Sequence, residues 1–317
     1  MHAPGNHSLD ANRRYLLLVL LFAIALYVVV PQLGDFRASG QLLHHPVLSW
    51  TLAAVSLSGL TYLFAALTYW WLAFKPLPYP SIVLIQLAAM FMNRLLPAGI
   101  GALGINYVYL RHTKHTTAQA TTVMAINNFL GAAGHTLLVV VALAVVPARS
   151  HPLPATSGKI FDNLAIILTI GAVMLLGLLL VFGRKRLKHL VADLLSQVFA
   201  YRYRLGRLPA ALLSSVLLTL SNVLGLGCCA LALGVHLPFV ACLLIFTFGV
   251  GTGTASPTPG GLGGFEAGLT AGFIAYHVAA STALAVALLY RLVSYWLPLL
   301  AGGLALIIAQ RRRLLVI

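Results

Sequence analysis

The chain has 317 residues, 60% of them apolar, with 20 Lys or Arg, five Asp or Glu, and a mean hydropathy of +0.96. Only 8% are charged, against about 25% in a soluble domain, which excludes a soluble globular enzyme, a disordered chain and a collagen-like rod. The net charge of +15 has no soluble domain through which to grip nucleic acid, so anionic lipid headgroups are the better partner.

Apolar runs longer than about 18 residues predict an all-α polytopic membrane protein. The first, 15–31, follows Arg13 and Arg14 and lacks a small-x-small cleavage site, so it reads as a retained helix and not a signal peptide. Segments 47–74, 117–146, 208–234 and 280–309 are long enough to cross with tilt, and 160–183 is a further crossing. The pairs 81–96 with 99–111 and 238–256 with 262–277 are individually short and interrupted by Pro and Gly. They predict re-entrant hairpins over 81–111 and 238–277, with full crossing left open as the alternative.

Charge orients this arrangement. Fifteen Lys or Arg fall on one side, among them Lys75, Arg111, Lys114, the 184–207 loop and Arg311 to Arg313; only Arg37, Arg149 and Lys159 fall on the other. The bias places both termini in the cytoplasm of a cell with an inner membrane. Within 184–207, apolar residues at helical spacing between basic flanks describe an amphipathic segment. It is either a topology signal or a contact with anionic phospholipids of the inner leaflet.

The sequence Pro97-Ala98-Gly99-Ile100-Gly101-Ala102-Leu103-Gly104 resembles Pro259-Gly260-Gly261-Leu262-Gly263-Gly264-Phe265-Glu266, at an offset of 162 residues. The same offset carries 47–74 onto 209–236 and 117–146 onto 279–308. Each half makes three full crossings, an odd number, so the second half is inserted upside down. The expected architecture is two inverted-topology repeats, 1–146 and 147–317, each helix, helix, broken hairpin, long helix.

Gly99-x-Gly101-x-x-Gly104 matches a dinucleotide fingerprint in letters only, since no strand precedes it and no acid follows at the required distance. The glycines after Pro259 let the chain turn and restart a helix near Phe265, whose N-terminus suits an anionic group. The competing reading is close packing through Gly264, Gly268 and Gly272. Glu266 is the only glutamate of the chain and sits in an apolar stretch with Arg291, while Arg94 lies in another. Two readings stand. Either the three set the electrostatics of a headgroup site, with a lipid phosphate balancing the surplus cation, or Glu266 pairs with Arg291 and Arg94 snorkels to the inner interface. Asn93, Asn106, Asn127, Asn128, His135 and Asn222 add polar groups to apolar helices. The set offers no covalent chemistry: there is one intramembrane carboxylate and no activated nucleophile or metal cluster. Cys228, Cys229 and Cys242 read as core residues, His44 and His45 as a solvated loop pair, and no cofactor or metal is expected.

The stretch Ser256-Pro257-Thr258-Pro259-Gly260-Gly261-Leu262-Gly263-Gly264-Phe265-Glu266-Ala267, with Leu289-Tyr290-Arg291-Leu292-Val293-Ser294-Tyr295-Trp296-Leu297-Pro298, resembles the lysylphosphatidylglycerol synthase/flippase transmembrane family in its stand-alone form. The resemblance covers about residues 10 to 310 and meets that family's P-T-P-G-G-L-G-x-x-E and Y-R-x-x-x-x-W-L-P features. It implies movement of a lipid between leaflets, without the soluble aminoacyl-transfer domain. The first motif departs from the pattern. Relatives tend to read L-P-A-R-x-G-E where this chain has Leu96-Pro97-Ala98-Gly99-Ile100-Gly101-Ala102, and Glu-Arg where it has Asn127-Asn128. A polyprenyl phosphate, a glycolipid or a neutral lipid therefore stands beside an aminoacylated one as substrate.

The leading expectation is a lipid flippase of the inner membrane, not an enzyme. Its site would hold Glu266, Arg291, Arg94, Asn127, Asn128, Gly99, Gly101, Pro259, Gly260, Gly261, Gly263 and Tyr290. The alternative is a membrane scaffold or accessory subunit for a lipid-modifying enzyme. A homodimer and such an enzyme are the protein partners this leaves open.

Overall fold

A computed structural model describes residues 46–96, 100–145, 205–256 and 258–315. The 15–31 and 160–183 segments, nearly all of the basic 184–207 segment, His44, His45 and Pro97 to Gly99 lie outside the described residues. All regular structure among the described residues is helical. In chain order come α1 (Leu48–Leu72), α2 (Tyr79–Leu95), α3 (Ile100–His112) and α4 (Thr117–Val145). Then follow α5 (Leu208–Ala232), α6 (Phe239–Ala255), a 3-10 turn (Pro259–Gly261), α7 (Gly264–Ala275) and α8 (Ala280–Arg291). A π turn (Leu292–Trp296) leads into α9 (Leu297–Arg311). Proline stands at the start of α2 and α5, where the missing N–H costs no helical bond.

Among the described residues, four helical runs, 48–72, 117–142, 205–232 and 280–311, are long and apolar enough to cross a bilayer. The others are too short. The 17 residues of α2 and of α6 rise about 25 Å at 1.5 Å per residue, against a hydrocarbon core of about 30 Å. α3 and α7, with 13 and 12 residues, are shorter still. Lengths of 25, 17 and 13 residues in the first half are answered by 25, 17 and 12 in the second.

α1 and α5 pack against each other and run antiparallel. The Val47 N–H at the head of α1 donates to the Ala232 carbonyl at the tail of α5 (2.9 Å). Gly225 faces Ala54 and Leu57, and Trp70, Trp71 and Lys75 share a small cavity with Arg207.

Two apolar cores result. One gathers the tail of α1, the α2–α3 hairpin, the head of α4, Ala211, Ala309 and Leu315. Lys75, Arg111, Lys114, Arg207 and Arg311 to Arg313 belong to the loops and helix ends at that end of the bundle. The other core gathers Ala54, the tail of α5, the α6–α7 hairpin and α8. Among the described residues, the loops at that end carry His236 and His277 but no Lys or Arg. The two hairpins thus start from opposite ends, and the end of α2 meets the 3-10 turn between α6 and α7.

Each hairpin closes tightly because glycine permits it. A Cβ on Gly101 would lie 2.1 Å from the Met92 carbonyl oxygen, so only glycine lets α3 turn back on α2. In the second hairpin Gly264, Gly268 and Gly272 lie against Thr252 and Ser256, Gly249 and Thr252, and Ile245 respectively. That stripe is helix packing.

Candidate functional site

The turn between α6 and α7 is built from left-handed backbone. Gly260, Gly261 and Gly263 have φ of 65°, 66° and 83°, a region that side chains with a Cβ avoid. This twists the Gly260 and Gly261 carbonyls toward α8, where Arg291 Nη2 donates to them at 3.1 and 3.2 Å. Arg291 Nε donates to Glu266 Oε1 at 2.6 Å, and the Gly263 N–H donates to Glu266 Oε2 at 2.8 Å. Glu266, in the first turn of α7, is therefore the anion at this helix N-terminus. Both residues of the pair are buried.

Arg94, at the tip of the first hairpin, is also buried. Its guanidinium donates to the Ser294 carbonyl (2.5 Å), the Tyr295 carbonyl and the Tyr62 hydroxyl (3.5 Å). The local sequence explains the acceptors. An α-helix would join the Ser294 carbonyl to the N–H four residues on, but that residue is Pro298, which has none. The chain takes a π turn over Leu292–Trp296, and Arg94 supplies the missing donor. π turns of this kind often accompany functional sites.

Tyr295 joins the two tips. Its ring has the Arg94 guanidinium 4.5 Å from the centroid and that of Arg291 at 4.7 Å. Phe265 takes another contact with Arg291 at 4.6 Å and stacks on Tyr290. Aromatic faces stabilise cations that have left water.

Beside this junction lies a cavity of about 750 Å³ bounded by α1 to α6, and so by both halves. It extends from Tyr69, in the core at the basic end, to Phe246, in the other core. Its polar lining is amide: Gln86, Asn93, Asn106, Asn127, Asn128 and Asn222. Thr68, Thr136, Ser215, Thr219 and His135 add hydroxyls and an imidazole. Gln86 Nε2 donates to Asn106 Oδ1 (2.8 Å), and His135 Nε2 lies 3.1 Å from Thr247 Oγ1. The Tyr290 hydroxyl donates to Asn222 Oδ1 (3.2 Å), which ties the cavity wall to the charged junction. Asn93 Oδ1 is buried without a partner.

The residues singled out in the sequence thus fall into two groups. Asn127 and Asn128 line the cavity. Glu266, Arg291, Arg94, Pro259, Gly260, Gly261 and Gly263 form or contact the junction next to it, and Tyr290 bridges the two. Gly101 is buried against the α2 backbone, and Gly99 lies outside the described residues. Sequence reasoning did not single out Tyr295, Gln86, Thr68, Ser215 or Thr219. The signal for the last two was a polar stripe on an apolar helix, since 215, 219 and 222 share one face of α5. Among the described residues no cluster of His, Cys, Asp or Glu could hold a metal.

These features define a polytopic α-helical membrane protein with two short hairpins meeting beside a polar cavity. The chain belongs to the family described as the lysylphosphatidylglycerol synthase TM region, whose model matches residues 15–302. That is a family of membrane proteins linked to lipid handling. The chain is also 34% identical over 113 residues to a UPF0104 membrane protein of Pyrococcus horikoshii. The matched stretch is 36% of this chain and 33% of the relative, so the match spans about a third of each.

Proposed function

We propose that the protein moves a lipid between the leaflets of a bacterial inner membrane, without catalysing a covalent step. The observation that carries this reading is the cavity. Apolar helices do not keep so many amides and hydroxyls around a space of about 750 Å³ for packing alone, because each polar group placed in hydrocarbon is costly unless something wet or polar occupies the space. On this reading the halves 1–146 and 147–317 are inverted repeats. The short hairpins enter from opposite faces and stop near the midplane, and the polar end of a lipid passes through the space between the halves while its tails stay in the bilayer. The antiparallel α1–α5 pair and the meeting of the hairpin tips support this arrangement. The concentration of Lys and Arg at one end supports cytoplasmic termini. The basic 184–207 segment would hold the protein to anionic phospholipids.

The test is reconstitution. Purified protein in liposomes should accelerate the movement of at least one fluorescent lipid from a broad panel, read by chemical quenching of the outer leaflet. Asn127→Leu/Asn128→Leu should slow that movement while leaving the protein monodisperse. Folded protein that moves no lipid refutes the translocase reading and favours a scaffold for a lipid-modifying enzyme.

A further inference from the structure

We infer that the cavity selects a lipid with an uncharged, hydroxyl-bearing headgroup, a glycosyl lipid in chemical class, over phosphate-bearing or aminoacylated lipids. This rests on reading the cavity as the path of a lipid headgroup.

Three observations carry it. First, no Asp, Glu, Lys or Arg is among the described residues that line the cavity. Second, the buried charges nearby already have partners and face one another. Both oxygens of Glu266 are engaged, Arg291 has a carboxylate and two carbonyls, and Arg94 has two carbonyls and a phenol. A phosphate would meet no free cation in the cavity wall, and a lysyl ammonium no free anion. An ion moved into such a space loses its hydration without a countercharge, a penalty that a neutral group avoids. Third, the lining matches hydroxyls. A side-chain amide offers both donor and acceptor, as a hydroxyl does, whereas an ionised phosphate only accepts and an ammonium only donates. Asn127 and Asn128 make no side-chain hydrogen bond within the described residues and are available to a ligand. The volume of about 750 Å³ falls inside the range of about 300–1,000 Å³ that holds small organic ligands, enough for a sugar.

The experiment compares three tail-labelled lipids in liposomes carrying the full chain: monoglucosyl-diacylglycerol, phosphatidylglycerol and lysylphosphatidylglycerol. The glucosyl lipid should move at least about tenfold faster than either charged lipid, and free glucose should not enter the vesicles. A charged lipid that moves as fast or faster overturns the selectivity and leaves the translocase reading standing. Uptake of free glucose without movement of the glucosyl lipid overturns the assignment to a lipid. If no lipid moves, the translocase reading fails and binding decides the headgroup class. In detergent the glucosyl lipid should raise the unfolding temperature more than phosphatidylglycerol does, and Asn127→Leu should abolish the difference. Equal or absent shifts overturn the inference. Should Asn127→Leu not fold, Asn128→Arg serves instead. It places a cation in the lining and should cut the preference for the glucosyl lipid over phosphatidylglycerol by about tenfold; an unchanged ratio overturns the inference.

Discussion

Removing the Glu266 carboxylate tests whether the hairpin junction is held by charge. In Glu266→Gln the amide oxygen can still accept from the Gly263 N–H, but its NH₂ group then faces Arg291 Nε, donor against donor. Arg291 keeps two carbonyl acceptors and two aromatic faces, so the loss should sit at the lower end of the range for breaking a buried pair, about 3 kcal/mol. Arg291→Gln loses more. It strands the carboxylate and frees the Gly260 and Gly261 carbonyls as well, which puts the loss at about 5 kcal/mol. The double variant has no stranded charge, so its loss should stay near about 5 kcal/mol and not reach the additive value of about 8, a coupling of about 3 kcal/mol. Equilibrium unfolding in mixed micelles, followed by tryptophan fluorescence, measures all three. Additivity within about 0.5 kcal/mol would show that the pair does not stabilise the junction and would refute the reasoning.

Gly101→Ala pushes a methyl group into the Met92 carbonyl and should cost more than about 2 kcal/mol. Gly104→Ala, with nothing within 4 Å of the new carbon, should gain about 0.5–1 kcal/mol from helix propensity; the same unfolding assay ranks them. Tyr295→Leu removes the ring that both arginines face and should lose about 2 kcal/mol or more, whereas Tyr295→Phe keeps the ring and should lose less than about 1 kcal/mol. Arg94→Leu should cost about 1–3 kcal/mol less in a Pro298→Ala background than alone, because an alanine there returns an N–H to the Ser294 carbonyl that Arg94 otherwise satisfies. Equal costs in the two backgrounds would show that the proline does not explain the contact.

Hydrophobic length made most of the fold legible. The helices 48–72, 208–232 and 280–311 lie within a few residues of the apolar segments that predict them, because a bilayer admits few other ways to satisfy a backbone. The hairpin breaks were equally plain, since Pro and Gly interrupt both segments at matching places. The site was legible only in part. Glu266, Arg291 and Arg94 stand out because a charge in an apolar run is costly, but the sign of a charge does not name its partner. That Arg94 would meet two carbonyls depended on a π turn, and nothing short of the packed structure reveals that Tyr295 lies between two guanidiniums. The cavity liners were harder to see. Thr68, Ser215 and Thr219 are common in membrane helices, where such hydroxyls bond to the preceding turn as those of Thr68 and Thr219 do here. Their shared role emerges only when six helices converge. The seven-residue spacings of Gln86 with Asn93 and of Asn128 with His135 were a readable sign that each pair shares a helix face.

The division between a charged junction and a neutral cavity constrains how any movement could occur. Arg94 belongs to the first hairpin and Arg291 to the second half, yet both bear on Tyr295 and the backbone beside it. Separating the tips would strand Arg94 with no carboxylate partner among the described residues and open two carbonyls to the bilayer interior, a penalty large compared with ordinary conformational energies. The tips must then travel together, and access to the cavity must come from elsewhere around its wall. The wall offers a place. Little of α4 is buried, and it carries Asn127, Asn128, Gly131 and His135 on the cavity side. Displacing α4 from α5 breaks apolar contacts and the bond between His135 and Thr247 on α6, but no ion pair among the described residues. A cross-link between Gly134→Cys on α4 and Val216→Cys on α5, which face each other, should therefore stop lipid movement in liposomes and recover it on reduction. A cross-link that forms without slowing transport would place the opening at another seam.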